Sequence, residues 1–194
     1  AKAAIARPGA LHLCYCHTPM RFAWNFAQYA QGERIAPLAR AAMPPLLARL
    51  RAWDRATAAR VDAFMANSPV VAGRIQACYG RAATVVPPPV AVDRCVVTPI
   101  HARLPYFLVL ARLVPYKRID LAVQACTALQ LPLRIIGTGR DRARLERLAG
   151  PTVEFLGALP DAEVRHHLAH CRALLCPGAE DFGIAAVEAQ ACGT

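Results

Sequence analysis

From Tyr106 to the carboxyl terminus, short apolar runs alternate with amphipathic stretches in a strict order. The pattern reads as strand (Tyr106 to Ala111), helix (Ile119 to Leu129), strand (Leu133 to Ile136), helix (Arg140 to Leu148), strand (Thr152 to Leu156), helix (Asp161 to His170), strand (Ala173 to Cys176) and a helix from Gly183 onward. Runs such as Phe107-Leu108-Val109-Leu110 are apolar at every position, which suits a strand buried on both faces. Strands of that kind joined by helices form a parallel sheet, because a parallel connection must cross over the sheet. The expected architecture is α/β and doubly wound.

The first half carries a second, weaker version of the pattern. Leu11 to Cys16, Ala63 to Ala66 and Ala83 to Val86 read as strands. A long helix between the first two is marked by Met43, Leu46, Leu47, Leu50, Trp53, Thr57 and Val61 at helical spacing, with Pro44 and Pro45 suited to its first turn. Arg40, Arg51 and Arg55 flank one edge of that stripe, and Arg49 and Arg60 the other. Trp53 and the leucines are what a helix covering a sheet needs, so the stripe is expected to pack inward. Pro87-Pro88-Pro89 opens an aperiodic stretch as far as His101. The expected division is a first domain over 1–90, a linker over 91–104 and a second domain over 105–194, with both domains incomplete and the chain truncated at both ends.

Composition narrows the class. The 194 residues are 56% hydrophobic without any uninterrupted apolar window of membrane-spanning length. The amino terminus lacks the apolar core of a secretory signal. Eight cysteines are scattered through apolar runs without a Cys-x-x-Cys pair, which fits small buried hydrophobes in a reducing cytoplasm. Cys14 and Cys16 alternate and so share one face of their strand. The net charge of +10 is carried almost entirely by arginine, since Lys2 and Lys117 are the only lysines among 23 basic residues. That excess predicts an anionic partner.

In a doubly wound sheet the ligand lies beyond the carboxyl ends of the strands. Five places there carry polar groups: His17, Asn67-Ser68, Arg112 to Lys117, Gly137-Thr138-Gly139, and Glu180 to Glu188. A forked guanidinium at Arg112 and a mobile ammonium at Lys117 on one loop can hold two phosphates and neutralise a leaving group; the competing reading is a pair of solvated cations. Backbone N–H groups around Gly183, at the start of a helix, suit an anion. Glu188 can accept from both hydroxyls of a vicinal diol, although two glutamates eight apart are also ordinary helix decoration. Gly137-Thr138-Gly139 lacks the third glycine of a dinucleotide fingerprint, and Glu154 falls within a strand, so a nicotinamide cofactor is disfavoured. His166, His167 and His170 have spacings that could hold a metal but read better as a surface helix, with Asp161 and Glu163 opposing its dipole. No Asp-x-Asp motif is present.

In order along the chain, His17-Thr18-Pro19-Met20-Arg21, Trp53-Asp54, Ala66-Asn67-Ser68, Val86-Pro87-Pro88-Pro89-Val90, Ala111 to Arg118, Ile136 to Gly139, Phe155-Leu156-Gly157 and Pro177 to Thr194 resemble glycosyltransferase family 4, the retaining group with the GT-B fold. The resemblance implies two Rossmann-like domains and no required cofactor. It implies that Arg112 and Lys117 bind the donor diphosphate, with Gly137 and Gly139 beside it, and that Glu188 holds the ribose. Glu180 and the backbone of Phe182, Gly183 and Ile184 would contact the transferred sugar, and His17 would lie near the reacting centre. The catalytic set so implied is His17, Arg112, Lys117 and Glu180. The His-Thr-Pro-Met-Arg and Tyr-Lys-Arg-Ile-Asp runs are most similar to bacterial mannosyltransferases of surface-polysaccharide biosynthesis. They point to GDP-mannose or another nucleotide sugar as donor, a glycan or lipid-linked acceptor, and a cytoplasmic location with peripheral contact at the inner membrane surface and no nucleic-acid partner. The family's Lys-Gly pair reads Lys117-Arg118 here, and its amino-terminal glycine-rich loop is absent. The rival readings are a basic membrane- or nucleic-acid-binding module and an inactive remnant.

Overall fold

The computed structural model describes residues 2–30 and 36–194. The chain divides into two compact units, Ala1–Pro88 and Pro89–Thr194.

In the second unit, strands β4 (Phe107–Leu110), β5 (Leu133–Ile136), β6 (Val153–Gly157) and β7 (Ala173–Leu174) form a parallel sheet in the order β6-β5-β4-β7. Alternate residues of each central strand serve opposite faces. Val109 and Ile135 join Ile119, Val123 and Leu145 in one apolar cluster, whereas Leu108 and Ile136 join Leu168 and Ala189 in the other. Helices α5 (Ile119–Ala128) and α6 (Arg142–Leu148) therefore cover one face, and α7 (Asp161–His170) and α8 (Ile184–Ala191) the other. Each such buried Leu, Ile or Val contributes about 1.5–3 kcal/mol, an upper estimate when the unfolded chain is itself compact. The strand expected over Ala173 to Cys176 is shorter, pairing only at Ala173 and Leu174 before Leu175 donates one more bond to the Leu108 carbonyl at 2.7 Å.

The histidines of α7 contact one another and Tyr106. His166 and His170 stack at 4.2 Å, and His167 Nδ1 lies 3.2 Å from the Tyr106 hydroxyl. Burial lowers the pKa of His167, and the nearby Arg134 guanidinium lowers it further. Among the described residues no group of three or more His, Cys, Asp or Glu side chains is gathered as a metal site, and no helix is long and apolar enough to cross a membrane.

The first unit holds β1 (Leu13–Cys16), β2 (Ala63–Ala66) and β3 (Ala83–Val85), parallel and in that order. After two short helical turns, α1 (Arg21–Trp24) and α2 (Phe26–Tyr29), come the long α3 (Pro37–Ala58) and then α4 (Pro69–Tyr79). The ends of α4 are written in its sequence. The Ser68 side chain accepts from Val71 N–H at 3.2 Å, Pro69 occupies the first turn, and Gly80 closes the helix at φ 66°.

Two expectations for α3 fail. The helix begins at Pro37, so Pro44 and Pro45 lie inside it, on exposed backbone where water can satisfy the carbonyls they leave unpaired. The stripe also does not pack inward as a whole, because Leu47, Asp54, Thr57 and Ala58 are buried while Leu46 and Trp53 remain about half exposed, at 48% and 50%. Asp54 is the inward anchor. It is fully buried, pairs with Lys2, and accepts from Trp24 Nε1 at 2.7 Å and the Tyr79 hydroxyl at 2.8 Å.

Candidate functional site

The strand order fixes where a ligand can enter. The chain moves outward from β4 to β5 to β6 and then returns to lay β7 on the other side of β4. The connections leaving β4 and β7 thus diverge, and the space between their carboxyl ends is the switch-point crevice of an open α/β sheet. The loops bordering it are 111–118 and 175–183, which carry most of the candidates.

Glycines let these loops close on one another. Gly137, at φ 134°, passes so near the Ala111 carbonyl that a Cβ would collide with it, and Gly139 lies likewise against the Leu113 carbonyl. Leu113 N–H donates to the Thr138 carbonyl at 2.9 Å and Asp141 N–H to the Leu113 carbonyl at 3.0 Å. The two glycines therefore hold the Arg112 loop in place by backbone approach, which no larger residue allows. On the other side, a Cβ at Gly178 would stand 2.6 Å from the Lys117 carbonyl oxygen, so the β7 loop also packs directly on the Lys117 backbone.

That contact brings together two residues 63 positions apart. Lys117 Nζ donates to Glu180 Oε1 at 2.6 Å, with the side chains 19% and 34% exposed. Water reaches both, so the pair orients the ammonium more than it stabilises the fold. The stem of Glu180 in turn lies against Gly183, which enters α8 in the left-handed region at φ 86°. The N-cap of α8 is Gly183, which has no side chain to cap it, and no acidic residue stands in the first turn, so the positive end of the helix suits an anion. Arg112 is exposed and donates from Nη2 to the Tyr116 hydroxyl at 3.1 Å, within the Lys117 loop. Phe182 and Glu188 are half-buried, and Ile184 is exposed.

Cys176, Gly178 and Tyr116 are parts of this site that sequence reasoning missed. Burial raises the Cys176 thiol, and the Glu180 carboxylate adds to that while Lys117 opposes it. The close approach of Gly178 could have been suspected from the Pro177-Gly178 turn signal.

Arg118 explains a departure noted in the sequence. It sits at φ 52°, ψ 34°, a left-handed conformation that glycine adopts without cost, and an ion pair with Asp120 at 3.2 Å steadies it. Arg118→Gly is expected to change stability by less than about 1 kcal/mol, since relief of strain and loss of a surface pair offset. Arg118→Val, β-branched in the same conformation, should lower the melting temperature clearly. Equal melting of both variants would contradict this reading.

His17 lies on the other unit, exposed just after β1, with its ring edge-on to Tyr15 at 5.2 Å. In the same unit Ser68 is engaged as the cap of α4, and Asn67 Oδ1 is buried without a hydrogen-bond partner among the described residues.

A cationic crevice with a helix amino terminus and two carboxylates is equipped to hold an anion joined to a polyhydroxyl group. Known proteins agree in fold. The chain resembles the crystal structure of Anabaena Alr3699/HepE in complex with UDP and glucose, with a TM-score of 0.64 and 19% identity over 74% of this chain and 46% of that one. It resembles the pneumococcal O-GlcNAc transferase GtfA in complex with UDP and GlcNAc, at 0.56 and 20% identity over 73% of this chain and 30% of that one. A mutant of S. aureus TarM in complex with Fondaparinux, alpha-GlcNAc-glycerol and UDP aligns at 0.60 and 15% identity over 74% and 31%. The chain spans less than half the length of each, and at these identities the likeness establishes the fold, the parallel-sheet α/β architecture of GT-B glycosyltransferases. No curated protein matches in sequence. Residues 97–194, half of the chain and all of the crevice just described, match the family of glycosyl transferases group 1, and the chain belongs to that family.

Proposed function

We propose that this chain carries the donor half of a retaining glycosyltransferase that moves a hexose, mannose from GDP-mannose, to a glycan or lipid-linked glycan acceptor. The observation that carries the reading is the Lys117–Glu180 pair at the switch point, beside the uncapped start of α8. In this scheme the donor diphosphate displaces Glu180 as the partner of Lys117 and reaches Arg112 and the first N–H groups of α8. Glu180, freed from Lys117, accepts from hydroxyls of the sugar, and Glu188 from the ribose.

The C1–O bond to the diphosphate breaks and the leaving phosphate oxygen takes the electron pair. Arg112, Lys117 and the α8 dipole stabilise the charge that develops there, and no divalent ion is required. The acceptor hydroxyl attacks C1 from the face the phosphate leaves, and its proton passes to that phosphate oxygen. Retention follows from this same-face route, in which no carboxylate is assigned as a covalent nucleophile. The role implied for His17 rests on the sequence resemblance alone.

The solved structures named above hold UDP, whereas the guanine donor rests on the similarity of the His17–Arg21 and Tyr116–Asp120 runs to mannosyltransferases. Calorimetric titration with GDP, UDP and ADP separates the two. GDP is expected to bind most tightly, and Glu188→Gln to weaken all three nucleotides. A preference for UDP would defeat the mannose assignment and leave the diphosphate site intact.

A further inference from the structure

The second unit buries one carboxylate. Asp141, at the foot of α6, is 5% exposed, and the forked guanidinium of Arg144 meets it with Nε on Oδ1 at 2.7 Å and Nη2 on Oδ2 at 2.8 Å. The same guanidinium faces Asp120 in the first turn of α5, with Nη2 3.9 Å from Oδ1. Asp120 in turn accepts from Arg118 Nε at 3.2 Å and Nη2 at 3.3 Å. Acid and base thus alternate from α6 across the start of α5 to the residue that follows Lys117, and the four charges cancel.

Such a chain contributes little to stability, because desolvation of Asp141 offsets much of its attraction to Arg144. Its placement gives it another effect. Lys117 ends the tight turn over Pro115–Lys117, directly before α5. Lys117 N–H donates to the Val114 carbonyl and Leu121 N–H to the Arg118 carbonyl, each at 3.0 Å, so this turn and the first turn of α5 form one hydrogen-bonded piece. Ile119 of α5 and Leu145 of α6 share an apolar cluster, but apolar contact is non-directional and leaves the helices free to slide. The forked pair and the facing carboxylate are directional and remove that freedom. Resting on the donor role of Lys117 given above, we infer that Asp120, Asp141 and Arg144 are positioning residues, which set α5 against α6 and thereby place the Lys117 ammonium at the diphosphate. Arg118 is the dispensable end of the chain, since the link that matters joins the two helices.

Calorimetric titration with GDP tests this through a double-mutant cycle. Asp120→Ala cuts the link while Asp141 keeps its partner, so the melting temperature should hold and GDP should bind about tenfold more weakly. Asp120→Glu, which returns the carboxylate, should recover part of the loss. Arg144→Met should weaken GDP as well. The two cuts change the net charge near the diphosphate in opposite senses, so a purely electrostatic effect would move them apart and a loss in both reports position. Added to Lys117→Ala, Asp120→Ala should weaken GDP no further, because it acts through that ammonium. Arg142→Gln, which breaks an exposed pair with Glu146 inside α6, should change nothing. Undiminished or tighter binding in Asp120→Ala, or a second loss of the same size on top of Lys117→Ala, would overturn the positioning role and leave Lys117 in place. Undiminished binding in Lys117→Ala itself would overturn both.

Discussion

Replacing Lys117 with alanine is expected to lower transfer turnover about a hundred- to a thousandfold, measured in a preparation that transfers sugar. The ammonium is held at the switch point by the Glu180 carboxylate, and on the proposed mechanism removing it withdraws charge from the leaving diphosphate while leaving Glu180 to repel it. Lys117→Arg should restore part of the rate, because the charge returns on a larger, planar group that fits Glu180 differently. Both side chains reach solvent, so the melting temperature should scarcely move in either variant. An alanine variant of unchanged turnover would remove Lys117 from the mechanism.

The second large effect is structural. Asp54→Ala is expected to destabilise the first unit by about 3 kcal/mol. The carboxylate is wholly buried and accepts from Trp24 and Tyr79 while pairing with Lys2, which itself donates to the Tyr79 hydroxyl at 2.6 Å. Deleting it strands an ammonium, an indole N–H and a phenol around a cavity. The Lys2 side chain is 16% exposed and can turn partly to water, which keeps the cost at the lower end for a buried pair. Asp54→Asn keeps the volume and one acceptor and should cost less. Chemical denaturation followed by tryptophan fluorescence reads both changes, and a loss in Asp54→Ala no larger than that of an exposed alanine substitution would contradict the anchor.

What was legible in the sequence follows from the range of each interaction. Phe107–Leu110 is apolar at every position and Leu133–Ile136 at all but Arg134, so both strands announce themselves within a few residues. The caps of α4 are equally local. The position of Arg112, Gly137 and Gly183 after strands or at a helix start was readable for the same reason. What escaped is long-range. Asp54 looks like a polar interruption beside Trp53 until Trp24 of α1, Tyr79 of α4 and Lys2 of the segment before β1 converge on it. Helical spacing marked Leu46 and Trp53 as inward, but that period shows only that they share a face and not which way the face looks. Pro44 and Pro45 misplaced the start of α3 because proline is commonest in a first turn, whereas this helix carries them on an exposed side. Lys117 and Glu180 were each singled out, yet their direct pairing depends on the close approach at Gly178, which spacing cannot express.

A crystal structure with a bound nucleoside diphosphate tests the central claim most directly. The diphosphate is expected between the 111–118 and 175–183 loops, within hydrogen-bond distance of Lys117 Nζ and of backbone N–H groups at the start of α8, with the Lys117–Glu180 pair opened. A diphosphate bound elsewhere, such as the cavity of about 310 Å³ lined by Tyr106, Arg134 and Glu154 at the opposite end of the strands, with Lys117 still on Glu180, would contradict it.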